Sequence, residues 1–160
     1  MSTAVLTPLA TSLTFCIERW PEFWRDCQHI LPVHWKELAL NQDQIALDVD
    51  AERFKVIDDQ GLLHILTARA EGRMVGYYIA IVMPHLHYKS AGNMAFTDMF
   101  FMLPAFRKGH GLKLFTEAER TLRERGVKKA YLSCKVHADL TELFERLGWT
   151  MSDKAFVKVF

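Results

Sequence analysis

Cysteine is scarce in this chain: Cys16, Cys27 and Cys134 are the only three in 160 residues. None forms a CxxC pair. An odd, sparse set excludes a disulfide framework and suits a reducing, cytoplasmic compartment. Charge of either sign is scarcely in excess, the formal net charge being +1. That argues against broad nucleic-acid binding and leaves room only for a local basic patch. No apolar run approaches the roughly 18 residues a membrane-spanning helix needs. The first residues, MSTAVLTPLATSLTF, lack a basic region and a clear cleavage site, so no signal peptide is expected. There is no internal repeat, low-complexity stretch or linker. What remains is a globular composition, 50% hydrophobic and 24% charged. The length suits one domain, 1–160, with a sizeable core.

The most informative stretch runs from Asp98 to Gly126. Met99, Phe100, Phe101, Met102 and Leu103 form a continuous apolar run, as in a strand buried on both faces. Pro104 ends it. Arg107, Lys108, Gly109, His110 and Gly111 follow. Leu112, Phe115, Ala118 and Leu122 then make one apolar stripe at helical spacing. A helix start has unpaired N–H groups and partial positive charge. With two glycines and two cations beside it, such a start can hold a phosphate or pyrophosphate. An ordinary strand-turn-helix, its glycines serving only the turn, fits the same residues.

Along the chain, residues 1–12 read as a loose lead-in and 13–18 as a first strand. Pro21 suits the first turn of a helix that runs on past Cys27 to Leu31, where Pro32 breaks it. Residues 33–40 form a second short helix, and a turn of helix is expected near 51–56. Residues 62–70 and 74–83 read as an antiparallel hairpin about Glu71-Gly72-Arg73. A loop over 84–92 leads to a central strand, 95–103. Helix 111–125 and strand 129–136 follow, a crossover long enough to be parallel. Asp139 caps a short helix ending at Gly148. Residues 149–151 and 155–160 look like closing strands. The expected class is α/β, a mixed and mostly antiparallel sheet with helices on both faces.

Three stretches resemble the GNAT N-acetyltransferase superfamily. GRMVGYYIAIVM (Gly72 to Met83) is similar to a family strand with a G-x-x-V-G pattern. DMFFMLPAFRKGHGLKLF (Asp98 to Phe115) resembles the family's acetyl-CoA motif. LFERLGW (Leu143 to Trp149), followed by AFVKVF (Ala155 to Phe160), resembles its C-terminal pattern. HLHYK and the single-arginine loop most resemble a phage-associated branch. The resemblance implies a single-domain acyl-CoA N-acyltransferase fold whose sheet splays between strands 95–103 and 129–136. It implies acetyl-CoA as co-substrate, its arm on the backbone of Phe101, Met102 and Leu103 and its pyrophosphate on Arg107, Lys108, Gly109, His110, Gly111 and Leu112. The acceptor would be a small-molecule or peptide amine, attacking directly.

Departures from the family pattern are local. The usual Arg/Gln-x-x-Gly-x-Gly has Phe106 at its first place, with arginine one later, so the loop is one residue short and Lys108 and His110 are expected to compensate. The family's tyrosine acid falls on Phe144, a cofactor contact with no proton to give. Its asparagine falls on His137. That leaves Asp98 as candidate base and His137 as candidate acid, against plain readings as a strand-end carboxylate and a loop histidine. His85, His87 and Tyr88 are candidates for the acceptor pocket, and no metal site is expected. An exposed last strand would allow a homodimer. A GNAT-fold module that binds acetyl-CoA without transfer is the alternative.

Overall fold

The computed structural model describes residues 12–160. The expected lead-in therefore lies almost wholly outside the described residues. Alternating Leu13, Phe15 and Ile17 form β1 (Leu13–Glu18). The hairpin forms as β2 (Leu63–Ala70) and β3 (Arg73–Pro84), turning through Glu71 and Gly72, both at positive φ. The central strand is β4 (Asn93–Met102), and β5 is Val127–Tyr131. The five strands lie in sequence order, antiparallel except for the parallel β4–β5 pair. The expected mixed sheet is thus present.

Helices cover both faces. The apolar stripe of α4 (Gly111–Glu124) packs with α5 (Thr141–Arg146) on one face, over Leu66, Tyr78 and Ala80. On the other face lie α1 (Trp20–Asp26), α2 (Leu31–Leu38) and α3 (Ala51–Asp59). Trp20, Phe23 and Ile30 pack there on Ile65, Tyr77 and Phe101. A Glu18–Arg69–Asp26 ion network, with contacts of 2.7 Å, ties β1, β2 and α1 together.

Three expectations are corrected. Pro32 opens α2 instead of breaking the preceding helix, because a first-turn proline has no N–H to satisfy. The first helix accordingly ends at Asp26. Strand 129–136 is shorter than its alternation suggests: only Val127–Tyr131 belongs to it, and the register with β4 runs out at Phe96–Tyr131. Residues 149–160 form no strands. Trp149 is tied inward, its N–H to the Phe144 carbonyl and its Nε1 to Glu119 at 2.8 Å. Beyond it no ladder is available, since 132–136 have left the sheet, and Phe156 and Phe160 are exposed.

β4 carries a bulge. Ile79 faces Met99 and Ala80 faces Thr97, so Asp98 is the extra, unpaired residue. Behind β4, β3 lies tight against it at Gly76, where a Cβ would meet the Phe101 carbonyl oxygen at 2.9 Å. Gly76→Ala should therefore cost about 1–3 kcal/mol of stability, the usual scale of overpacking, as read from urea unfolding. An unchanged midpoint would show that the strands can part freely at this point.

Candidate functional site

Where β4 and β5 separate, a cavity of about 740 Å³ opens. One wall is β4 from Thr97 to Met102 and the other is Ser133 to Leu140. The start of α4 closes one end, and His34, Glu37 and Leu38 of α2 close another. A second cavity, about 700 Å³, lies between β5 and residues 149–156. The bulged carboxylate and the glycine loop both face the first.

Strand alternation decides which backbone groups line that cavity. The Leu103 N–H donates to the Val75 carbonyl at 2.8 Å, and Phe101 stands opposite Tyr77 in the same register. The amides of Phe101 and Leu103 therefore point to β3, and those of Phe100 and Met102 point into the cavity. Of the expected backbone positions Phe101, Met102 and Leu103, only Met102 turns its N–H to the cavity, and Phe100 does so beside it. The Met102 carbonyl is already engaged by Arg107 Nε at 2.8 Å, leaving the Met102 N–H.

The Arg107 side chain lines the cavity and turns to α2. Its Nη2 meets Glu37 Oε2 at 2.7 Å, and its guanidinium sits 5.1 Å from the centre of the Phe101 ring. It ties α2 to the end of β4. In the loop, the N–H groups of His110 and Gly111 turn back onto the Arg107 carbonyl at 3.3 and 3.1 Å. Those of Lys108, Gly109, Leu112 and Lys113 have no partner among the described residues. Gly109, at φ +78°, permits the turn that exposes them. Gly109, Gly111 and Leu112 line the cavity; Lys108 and His110 do not. The Nδ1 of His110 is buried without a partner.

Asp98 is open to the cavity, with protein on several sides. Desolvation by those walls raises its carboxyl above the ordinary range. No described residue donates a hydrogen bond to it. His137 faces the same space, exposed, with Nε2 3.4 Å from the Glu37 carbonyl oxygen. Phe144 does not line it. Its ring is buried edge-on to Phe115, with centres 5.1 Å apart, and it serves the core. His85, His87 and Tyr88 gather in the loop after β3, the His85 and Tyr88 rings 4.8 Å apart, and none lines the cavity. Among the described residues no group of three His, Cys, Asp or Glu could hold a metal ion. No helix there is long and apolar enough to cross a membrane.

Three residues go unnoticed in the sequence: His34, Glu37 and Tyr77. His34 and Glu37 share one face of α2 with Leu38, at i, i+3 and i+4. That polar interruption of a short amphipathic helix is the available signal.

The model for the acetyltransferase (GNAT) family matches residues 18–149. No curated protein matches the sequence. Among solved structures the chain is similar to a GCN5-related N-acetyltransferase from Ralstonia eutropha JMP134, with TM-score 0.73 and 16% identity over 92% of this chain and 99% of that one. It is similar to an aminoglycoside acetyltransferase from an uncultured soil metagenomic sample, crystallised with trehalose, with TM-score 0.68 and 13% identity over 92% and 94%. It is also similar to glucosamine-6-phosphate N-acetyltransferase from Arabidopsis thaliana, with TM-score 0.66 and 18% identity over 93% and 99%. At these identities the likeness is one of fold.

The Arg107 contacts lead to a stability prediction. Arg107→Ala should lower the unfolding free energy of the ligand-free protein by about 1–2 kcal/mol, the scale of a charged hydrogen bond reduced for its exposure. A guanidinium waiting only for an anion would leave that value unchanged.

Proposed function

The chain belongs to the acetyltransferase (GNAT) family, and from its cleft we infer that it moves an acetyl group from acetyl-CoA onto a primary amine by direct attack. The observation that carries this reading is the bulge. It sets an unpaired carboxylate, Asp98, at the mouth of the cleft where two strands part, with free amides on the adjoining strand wall.

The residues present suit acetyl-CoA. The unpartnered N–H groups of Lys108, Gly109, Leu112 and Lys113, at the positive end of α4, fit a pyrophosphate. The cavity-facing N–H groups of Phe100 and Met102 fit the amides of the pantetheine arm and the thioester oxygen. Bound there, acetyl-CoA supplies an acyl group activated by a good leaving group.

Each protein group then has one task. A lysine-like amine is protonated at neutral pH, its pKa being about 10.4. Asp98, its own pKa raised, takes a proton from the incoming amine, directly or through water. As nitrogen bonds to the carbonyl carbon, a strand N–H supports the negative charge gathering on oxygen. The carbon–sulfur bond breaks, the acylated nitrogen gives its surplus proton to water, and sulfur leaves as thiolate. With a reference pKa of about 8.5 it needs little help, so the phenyl ring at Phe144 is no obstacle. His137, exposed at the same cavity, is placed to return a proton to sulfur. His85, His87 and Tyr88 belong at most to the outer reach of a long acceptor.

Calorimetric titration with acetyl-CoA, with ATP as control, tests the binding half. Selective micromolar affinity is expected, and no binding by a folded protein would overturn the reading. Asp98→Asn tests the chemical half. It should lower kcat by roughly 10²–10⁴-fold, the range for a general base, with affinity for CoA unchanged. The wild-type rate should rise with pH through a midpoint above the ordinary carboxylate range, and the variant should lose that limb. A variant with the wild-type profile would remove Asp98 from the reaction.

A further inference from the structure

His34 lines the cleft from α2. Its imidazole stacks on the Phe101 ring, with centres 4.7 Å apart and planes 9° apart. Its Nδ1 lies 2.6 Å from the Tyr77 hydroxyl oxygen. Tyr77 is fully buried, and His34 is the one hydrogen-bond partner its hydroxyl has among the described residues. A buried hydroxyl proton needs an acceptor. The imidazole supplies one only if Nδ1 carries no proton, so the hydrogen of the neutral ring must sit on Nε2. That Nε2 has no partner among the described residues and is not buried, and the residue lines the cavity beside Glu37, Asp98 and Arg107.

The ring is also kept neutral. Burial lowers the His34 pKa to about 4, Lys135 and Arg107 push the same way, and Glu37 alone opposes them. A neutral imidazole whose basic nitrogen is occupied by tyrosine cannot take the amine's proton through its open side. It can donate. A donor that loses water when substrate fills the cleft needs an oxygen to meet.

We propose that His34 presents Nε2–H to an oxygen of bound substrate, and that Tyr77 is the positioning residue that fixes this tautomer. The proposal rests on the acetyl-transfer reading. The oxygen is either the thioester carbonyl or a hydroxyl or carbonyl beside the acceptor's amine.

Nitrogen-15 histidine spectra of the full-length enzyme test it. At neutral pH the free protein should show His34 as the Nε2–H tautomer, and Tyr77→Phe should show both tautomers. The Nε2–H signal should then move with acetyl-CoA but not CoA if the thioester is its partner. If the acceptor is its partner, the signal should move with 2-amino-1-phenylethanol but not with 2-phenylethylamine, which lacks the hydroxyl. His34→Leu should reduce kcat by roughly 10- to 100-fold at unchanged CoA affinity, and His34→Gln, which keeps a donor near the same place, should recover part of it. An Nδ1–H tautomer in the free wild type, or wild-type kcat in His34→Leu, would overturn the proposal. Failure of the wild type to bind CoA would instead sink the acetyl-transfer reading. CoA binding without an Nε2 shift in any arm would sink the present proposal alone.

Discussion

β4 is shared unequally between its neighbours. It keeps its ladder with β3 from Asn93 to Met102 but pairs with β5 only from Asn93 to Phe96. The rest of the site depends on that asymmetry. A strand held firmly on one side and released on the other offers backbone N–H groups to a ligand without unravelling. The bulge at Asp98 falls close to the point of release. It twists the strand there and leaves a carboxylate without a cross-strand neighbour.

Packing on both faces holds the half-released strand in place. Phe100 rests against Phe115 and lies near Phe144 on the α4 side, and Phe101 rests against His34 and Tyr77 on the α2 side. Aromatic contact thus holds on either face what hydrogen bonding no longer holds at the edge. The same arrangement accounts for the burial of Phe144, whose ring packs behind the strand that carries Asp98.

Much of this was legible in the residues. The stripe Leu112, Phe115, Ala118 and Leu122 marks α4 almost to the residue, because helical spacing and a flanking glycine agree. The hairpin about Glu71-Gly72-Arg73 is equally plain. Other features follow from contacts that no local pattern encodes. Ala130, Leu132, Cys134 and Val136 alternate like one strand, but alternation reports a face and not a ladder, and the ladder stops at Tyr131. Proline signals both a helix break and a helix start, so Pro32 reads wrongly without its surroundings. The direction taken by Arg107 is a matter of one long side chain choosing Glu37 and the Met102 carbonyl. His34 acquires meaning only beside Tyr77, which lies 43 positions away.

The choice made by Arg107 has a thermodynamic side. One guanidinium joins the end of β4 to α2, so the loop that begins at this residue and the helix across the cleft share a fastening. An anion that recruits Arg107 at the loop must take it from Glu37. The free energy spent in that exchange is felt by whatever rests against α2, and reciprocity makes the influence equal in the other direction. Two substrates that never touched at this point would then be coupled through it.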